Sequence, residues 1–214
     1  MKPDKEFMLL YAVTDRSWLS GRSLASQVEE ALKGGATFIQ LREKELDYDA
    51  FLEEAGKIKQ LCDRYQVPFV INDNVTVASA CNADGVHVGQ SDMQAGEVRR
   101  KLGPDKIIGV SVQTVGQAVL AEQQGADYLG VGAIFPTSTK KDADAVSYNT
   151  LKAICDTVSI PVIAIGGIGS HNIMKLSGSG IDGVAVVSAV FAQEDIRKAA
   201  KELLILSKEM VRGA

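Results

Sequence analysis

Cysteine and histidine are scarce in this chain, and each scarcity removes a class of function. Cys62, Cys81 and Cys155 are the only three cysteines in 214 residues. They are too few and too widely spaced for a disulfide framework, and no Cys-x-x-Cys pair is present for zinc. A reducing cytoplasm is the expected compartment. His87 and His171 are the only histidines. Basic charge is not in excess either: 23 Lys and Arg stand against 27 Asp and Glu, a net charge of -4. Such a chain has no electrostatic footprint for nucleic acid or an anionic membrane, so any basic site must be local. No run approaches the roughly 18 apolar residues of a membrane span. The apolar stretch 7–13 is too short for a signal peptide's core with its cleavage site. Gly130-x-Gly132 has Phe135 where a dinucleotide fingerprint needs its third glycine, and no Gly-Lys-Ser/Thr step of a P-loop occurs. There is no Gly-x-Ser-x-Gly nucleophile elbow.

What is present is the composition of an ordinary globular protein, 46% hydrophobic and 23% charged. The length suits a single domain over residues 1–214, which would bury roughly 70% of its unfolded surface. Short apolar runs rich in Val and Ile recur at 8–13, 37–41, 68–71, 85–88, 106–110, 128–131, 161–165 and 183–187. Their length and branching predict buried parallel strands. Amphipathic stretches lie between them. In 48–64, Phe51, Leu52, Ala55, Ile58 and Leu61 mark one helix face, and 194–210 repeats the pattern. Gly34-Gly35 and Gly125 close helices before the next strand, and Ser170 is expected to cap a helix after the seventh strand, ended by Gly178-Ser179-Gly180. Pro68 and Pro161 sit at strand starts, where a missing N–H does no harm. Eight strands alternating with helices predict an α/β fold, a single (β/α)8 TIM barrel. An open doubly wound sheet usually carries a Gly-rich turn after its first strand, whereas this chain reads Thr14-Asp15-Arg16-Ser17-Trp18. One long connection, 132–147, has a polar and charged middle, a length usually kept for function.

In a barrel, chemistry collects where the strands end. After the second run comes Gln40-Leu41-Arg42-Glu43-Lys44. An extended backbone points Gln40, Arg42 and Lys44 the same way, an arrangement suited to a polyanion or to a plain solvated strand end. Asn72-Asp73-Asn74 follows the third run, and Asp73 could equally cap the next helix. Asp92 follows the fourth. Two carboxylates above neighbouring strands, with a phosphate partner, suit Mg²⁺. His87, inside its apolar run, reads as a hydrogen-bonded barrel residue rather than a ligand. Ser111 follows the fifth run. Thr137, Ser138, Thr139 and Lys140 in the long loop can wrap a phosphate or form a turn cluster. Gly166-Gly167-Ile168-Gly169 and Val187-Ser188 end the last two runs, the place of the phosphate site common to many barrels.

Taken in order, seven motifs resemble those of the thiamine-phosphate synthase family. They are Tyr11-Ala12-Val13-Thr14-Asp15, residues 40–44, Ile71-Asn72-Asp73, Asp84-Gly85-Val86-His87-Val88-Gly89-Gln90, Gly109-Val110-Ser111, residues 134–140 and Ile165-Gly166-Gly167-Ile168. The resemblance implies a transferase that condenses a pyrimidine diphosphate with a thiazole phosphate to give thiamine phosphate and pyrophosphate. It implies that the segment Gln40, Leu41, Arg42, Glu43 and Lys44, with Asn72, Ser111 and Lys140, binds the diphosphate. Lys140, Arg42, Lys44 and Ser111 would act in catalysis. Asp73 and Asp92 would hold Mg²⁺, and Thr137, Ser138, Thr139, Gly167, Val187 and Ser188 would bind the thiazole phosphate. Ala133 stands where many relatives have proline, a difference in stiffness rather than chemistry.

The implied partners are small molecules, with no nucleic acid or membrane; self-association is left open. Cations and a metal pair without an evident general base suit electrostatic stabilisation of a leaving group. Two other readings share the barrel. A thiazole tautomerase has no use for a diphosphate, so Arg42, Lys44, Asp73, Asp92 and Lys140 together count against it. A non-catalytic phosphate-binding barrel needs no metal pair.

Overall fold

The computed structural model describes residues 4–136 and 145–213. Its strands are β1 (Leu10–Val13), β2 (Phe38–Leu41), β3 (Phe69–Asn72), β4 (Gly85–Val88), β5 (Ile107–Val112), β6 (Tyr128–Val131), β7 (Val162–Ile165) and β8 (Gly183–Val186). All pair in parallel with their chain neighbours, and β8 returns to pair with β1. The sheet is a closed barrel, as the alternation of apolar runs predicts. Pro68 and Pro161 fall just ahead of β3 and β7. Their carbonyls still accept from Ile39 and Leu129 N–H at 3.0 and 2.9 Å, so the ladder loses nothing.

Around the strands lie α1 (Leu24–Lys33), α2 (Tyr48–Tyr65), α3 (Val75–Ala80), α4 (Ala95–Leu102), α5 (Val115–Gln123), α6 (Tyr148–Thr157), α7 (Ser188–Phe191) and α8 (Ile196–Arg212). Side-chain caps begin most of them: Ser23, Asp47, Asn74, Thr114, Ser147 and Asp195 each accept an N–H from the first turn. Among the described residues no helix is long and apolar enough to cross a membrane.

The segment after β7 departs from expectation. Ser170 does not cap a helix there. A short 3-10 turn, Ile173–Leu176, takes the helix's place, preceded by Asn172. The Asn172 side chain is spent on the preceding loop, accepting from Gly169 N–H and donating to the Gly167 carbonyl, both at 2.9 Å.

Alternation divides the apolar side chains into two cores. Inside the barrel, Met8, Tyr11, Val13, Phe38, Val70, Ile107, Tyr128, Ile163 and Ala185 pack together. Outside it, residues such as Leu10, Ala12, Ile39, Leu41, Ile71 and Val86 face the helices. At the strands' N-terminal end a device repeats four times. Thr37, Asp84, Asp127 and Asp182 each stand just before an even strand and accept an N–H near the start of the preceding odd one. The donors are Leu10, Phe69, Ile108 and Val162, at 2.8 to 2.9 Å. The other end of the barrel is thereby left for the site.

Candidate active site

A cavity of about 550 Å³ opens at the C-terminal ends of the strands. Its walls are set by strand alternation. From β2 and the residues beyond it, Gln40, Arg42 and Lys44 line the cavity, while the intervening Leu41 and Glu43 do not. Leu41 is buried against the helices. Glu43 is paired with Arg16, its Oε1 at 2.7 Å from Nε, and Arg16 also reaches Glu54 at 3.2 Å. Burial pushes the Glu43 carboxyl above its ordinary range, opposed by the Arg16 charge. The pleat turns the Leu41 and Glu43 side chains away from the cavity.

Arg42 is placed by β1. Its N–H donates to Thr14 Oγ1 at 3.0 Å, and its guanidinium lies 3.5 Å from Asp15. Asn72 ends β3, and the chain then turns through Asp73 at φ +61. A left-handed aspartate costs of order 1 kcal/mol and persists only where its surroundings hold it. Here Asp73 N–H donates to the His87 carbonyl at 2.8 Å. The carboxylate accepts from Lys44 Nζ at 2.8 Å and Asn72 Nδ2 at 2.5 Å. Asp73 is not the helix cap; Asn74 caps α3 and leaves the Asp73 carboxylate on the cavity wall. Asp92 lines the same cavity, with Oδ2 accepting from Gly89 N–H at 2.8 Å. Ser111, on β5, shares its oxygen with His87 Nε2 at 2.8 Å, and the backbone carbonyl of Ser111 accepts from Gln90 Nε2 at 2.7 Å.

Among the described residues the opposite wall carries no charged side chain. Gly166, Gly167, Ile168, Val187 and Ser188 form it, at the ends of β7 and β8. Gly167 has φ +64, and a Cβ there would stand 2.4 Å from the Pro136 carbonyl oxygen, so only glycine lets this loop lie against Phe135 and Pro136 beyond β6. Asn172, which ties the loop at Gly167 and Gly169, escaped the sequence reading because nothing local distinguishes it from a surface asparagine.

The structure thus brings Gln40, Arg42, Lys44, Asn72, Asp73, Asp92, Ser111, Gly167, Val187 and Ser188 to one cavity. Thr137, Ser138, Thr139 and Lys140 lie outside the described residues. His87 is hydrogen-bonded inside the barrel, as its apolar surroundings suggest. Among the described residues no group of three or more His, Cys, Asp and Glu gathers into a metal cage.

Known proteins resemble this chain in sequence and fold. A family profile described as thiamine monophosphate synthase matches residues 10–190. A thiamine-phosphate synthase of Clostridium tetani is 52% identical over 194 residues, covering 91% of this chain and 93% of that protein. One of Clostridium beijerinckii is 50% identical over 203 residues, 95% of this chain and 97% of its own. The solved structure of thiamine phosphate pyrophosphorylase from Pyrococcus furiosus superposes with a TM-score of 0.89 at 40% identity, over 96% of this chain and 98% of that one. The profile spans all eight strands of the barrel, and the relatives match nearly end to end: the chain belongs to the thiamine-phosphate synthase family.

Proposed function

We propose that the cavity joins 4-amino-2-methyl-5-pyrimidinylmethyl diphosphate to 4-methyl-5-(2-phosphoethyl)thiazole, forming thiamine phosphate and releasing pyrophosphate. The observation that carries this reading is the asymmetry of one cavity. Cations, amides and carboxylates line the β2–β5 side, and glycines with a serine line the β7–β8 side. The first suits a diphosphate, the second a phosphate monoester held by backbone N–H groups.

Arg42 and Lys44 place positive charge against the departing pyrophosphate, and Ser111 offers a hydroxyl hydrogen to it. Gln40 and Asn72 orient the pyrimidine diphosphate. Lys140, with Thr137, Ser138 and Thr139, enters this assignment through the family resemblance. Gly167, Val187 and Ser188 take the thiazole phosphate. The C–O bond to the pyrimidine methylene breaks with its electron pair leaving on pyrophosphate, and the thiazole nitrogen's lone pair forms the new C–N bond. Val13, Ile163, Ile165 and Ala185 give the cavity an apolar floor that keeps water from the electron-poor carbon.

Asp73 and Asp92 fit a magnesium site and would hold the ion: two carboxylates on one wall offer the hard oxygen donors that Mg²⁺ takes. Lys44, on Asp73 in this structure, puts a cation where one is wanted. When bound, Mg²⁺ would neutralise charge on the diphosphate.

The test is incubation with both substrates, with Mg²⁺ and with excess chelator, scoring thiamine phosphate and pyrophosphate. Equal amounts of both products, lost in chelator, are expected. Conversion of the thiazole alone, without pyrophosphate, would instead point to an isomerase.

A further inference from the structure

A chain of hydrogen bonds crosses the barrel interior beneath the cavity. Gln40 Nε2 lies 2.7 Å from Tyr11 Oη, Tyr11 Oη lies 2.7 Å from Tyr128 Oη, and Tyr128 Oη lies 2.8 Å from His87 Nδ1. His87 Nε2 then reaches Ser111 Oγ at 2.8 Å. Tyr11 and Tyr128 are wholly buried. Burial pushes both phenols far above their ordinary range, so each keeps its hydrogen. The barrel makes room for the chain with glycine. A Cβ on Gly109 would stand 2.2 Å from Tyr128 Oη and 2.5 Å from His87 Nδ1. Glycine in a strand interior is otherwise disfavoured.

The chain has a direction. An amide nitrogen only donates, so Tyr11 Oη accepts from Gln40; Tyr128 Oη is the one acceptor left among its described partners, and a buried hydroxyl hydrogen needs one, so Tyr11 gives its hydrogen to Tyr128. Tyr128 passes its own to His87 Nδ1. That direction calls for the imidazole proton on Nε2, donated to Ser111 Oγ. An imidazolium would need Nδ1 to donate as well, stranding the Tyr128 hydrogen where no water reaches it. With its oxygen already accepting from His87, Ser111 turns its hydrogen outward.

We propose that Tyr11 and Tyr128 are positioning residues, which hold His87 as the Nε2–H tautomer so that Ser111 presents a hydrogen, rather than a lone pair, to the departing oxyanion. This rests on the proposed assignment of Ser111 to the diphosphate. With Tyr128→Phe, His87 Nδ1 loses its donor, the tautomer preference weakens, and Ser111 can spend its hydrogen on the ring instead of the substrate.

Nitrogen-15 NMR of the imidazoles tests the tautomer without substrate. Only two histidines are present, and His171→Gln assigns them. His87 is expected to show an unprotonated Nδ1 and a protonated Nε2 at neutral pH, and Tyr128→Phe to move the ring toward Nδ1–H. In the coupling assay, Tyr128→Phe should lower kcat about tenfold, the size of one hydrogen bond, with KM for both substrates within about twofold. On a Ser111→Ala background the same change should cost nothing further. An imidazolium or Nδ1–H ring in the unaltered protein overturns the proposal, as does an equal loss with and without Ser111. If Tyr128→Phe does not fold, Tyr11→Phe cuts the chain one link earlier and is read in the same way. The expected tautomer in a protein without coupling activity would refute the proposed function and the role of Ser111 with it, and leave only the hold of Tyr128 on His87.

Discussion

Asp92 has an oxygen bonded to the Gly89 N–H and a place on the cavity wall, and the two roles predict different consequences of its loss. Its side chain lies outside both cores, so Asp92→Ala should cost no more than about 1 kcal/mol of stability, one backbone-to-side-chain hydrogen bond. The same change should abolish the Mg²⁺ dependence of coupling. Thermal unfolding and rate against Mg²⁺ concentration, measured on one preparation, decide it. Unfolding of the variant would assign Asp92 to the turn rather than the metal.

Residues of this kind were legible in the sequence because they sit just past an apolar run, and the two-residue period of a strand says which share a face. Gln40, Arg42 and Lys44 emerge on the cavity for that reason, and the same period sends Leu41 and Glu43 away from it. Tyr11 and Tyr128 were not legible as polar residues. Each lies within an apolar run, and only the closed barrel shows that their hydroxyls meet.

Among the elements, the repeated acceptors ahead of the even strands do for the barrel's base what the cavity residues do for its mouth. Asp182 accepts from Val162 N–H at 2.9 Å and pairs with Lys5 at 2.7 Å. Removing its carboxylate leaves the first N–H of β7 without its partner. Asp182→Ala should therefore destabilise by roughly 1.5–3 kcal/mol, the range for a hydrogen bond to a charged group. The coupling rate per folded molecule should not change, since β7's other end carries the site. Denaturant unfolding beside the coupling assay tests both halves. A large loss of rate in a fully folded variant would show that the base of β7 communicates with its mouth.

The strand positions themselves were readable to within a residue or two, because parallel strands buried on both faces stand out as unbroken apolar runs. The replacement of a helix after β7 by the turn Ile173–Leu176 was not. Ser170 looks like a cap in isolation, and only the packing of residues 166–169 against the β6 connection shows Asn172 committed to that loop instead.

For the molecule as a whole, closure was inferred from counting strands against length and from the absence of a glycine-rich first turn. The cavity's two unlike walls were foreseen only as separate strand ends. A closed interior holding two buried phenols has a consequence in alkali. Burial raises the Tyr11 and Tyr128 pKa values in the folded state, so the folded chain holds these protons more tightly than the unfolded one. Their contribution to stability is fully present below the unfolded value of about 10. It is lost as pH rises further, by about 1.4 kcal/mol per pH unit for each phenol while the folded one stays protonated. Tyrosinate absorbance from these two should appear only together with loss of the circular dichroism signal. Replacement of both by Phe should remove that late fraction. Ionisation of either in a protein that is still folded would contradict the burial argument.

In the proposed function one cavity holds two phosphate-bearing substrates on opposite walls. The most direct test is a crystal structure of the protein with pyrophosphate, thiazole phosphate and Mg²⁺ together. Pyrophosphate is expected against Arg42, Asn72 and Ser111, a metal ion joining it to Asp73 and Asp92, and the thiazole phosphate against Gly167 and Ser188. Pyrophosphate on the glycine wall, or a metal ion touching neither carboxylate, would contradict the proposal.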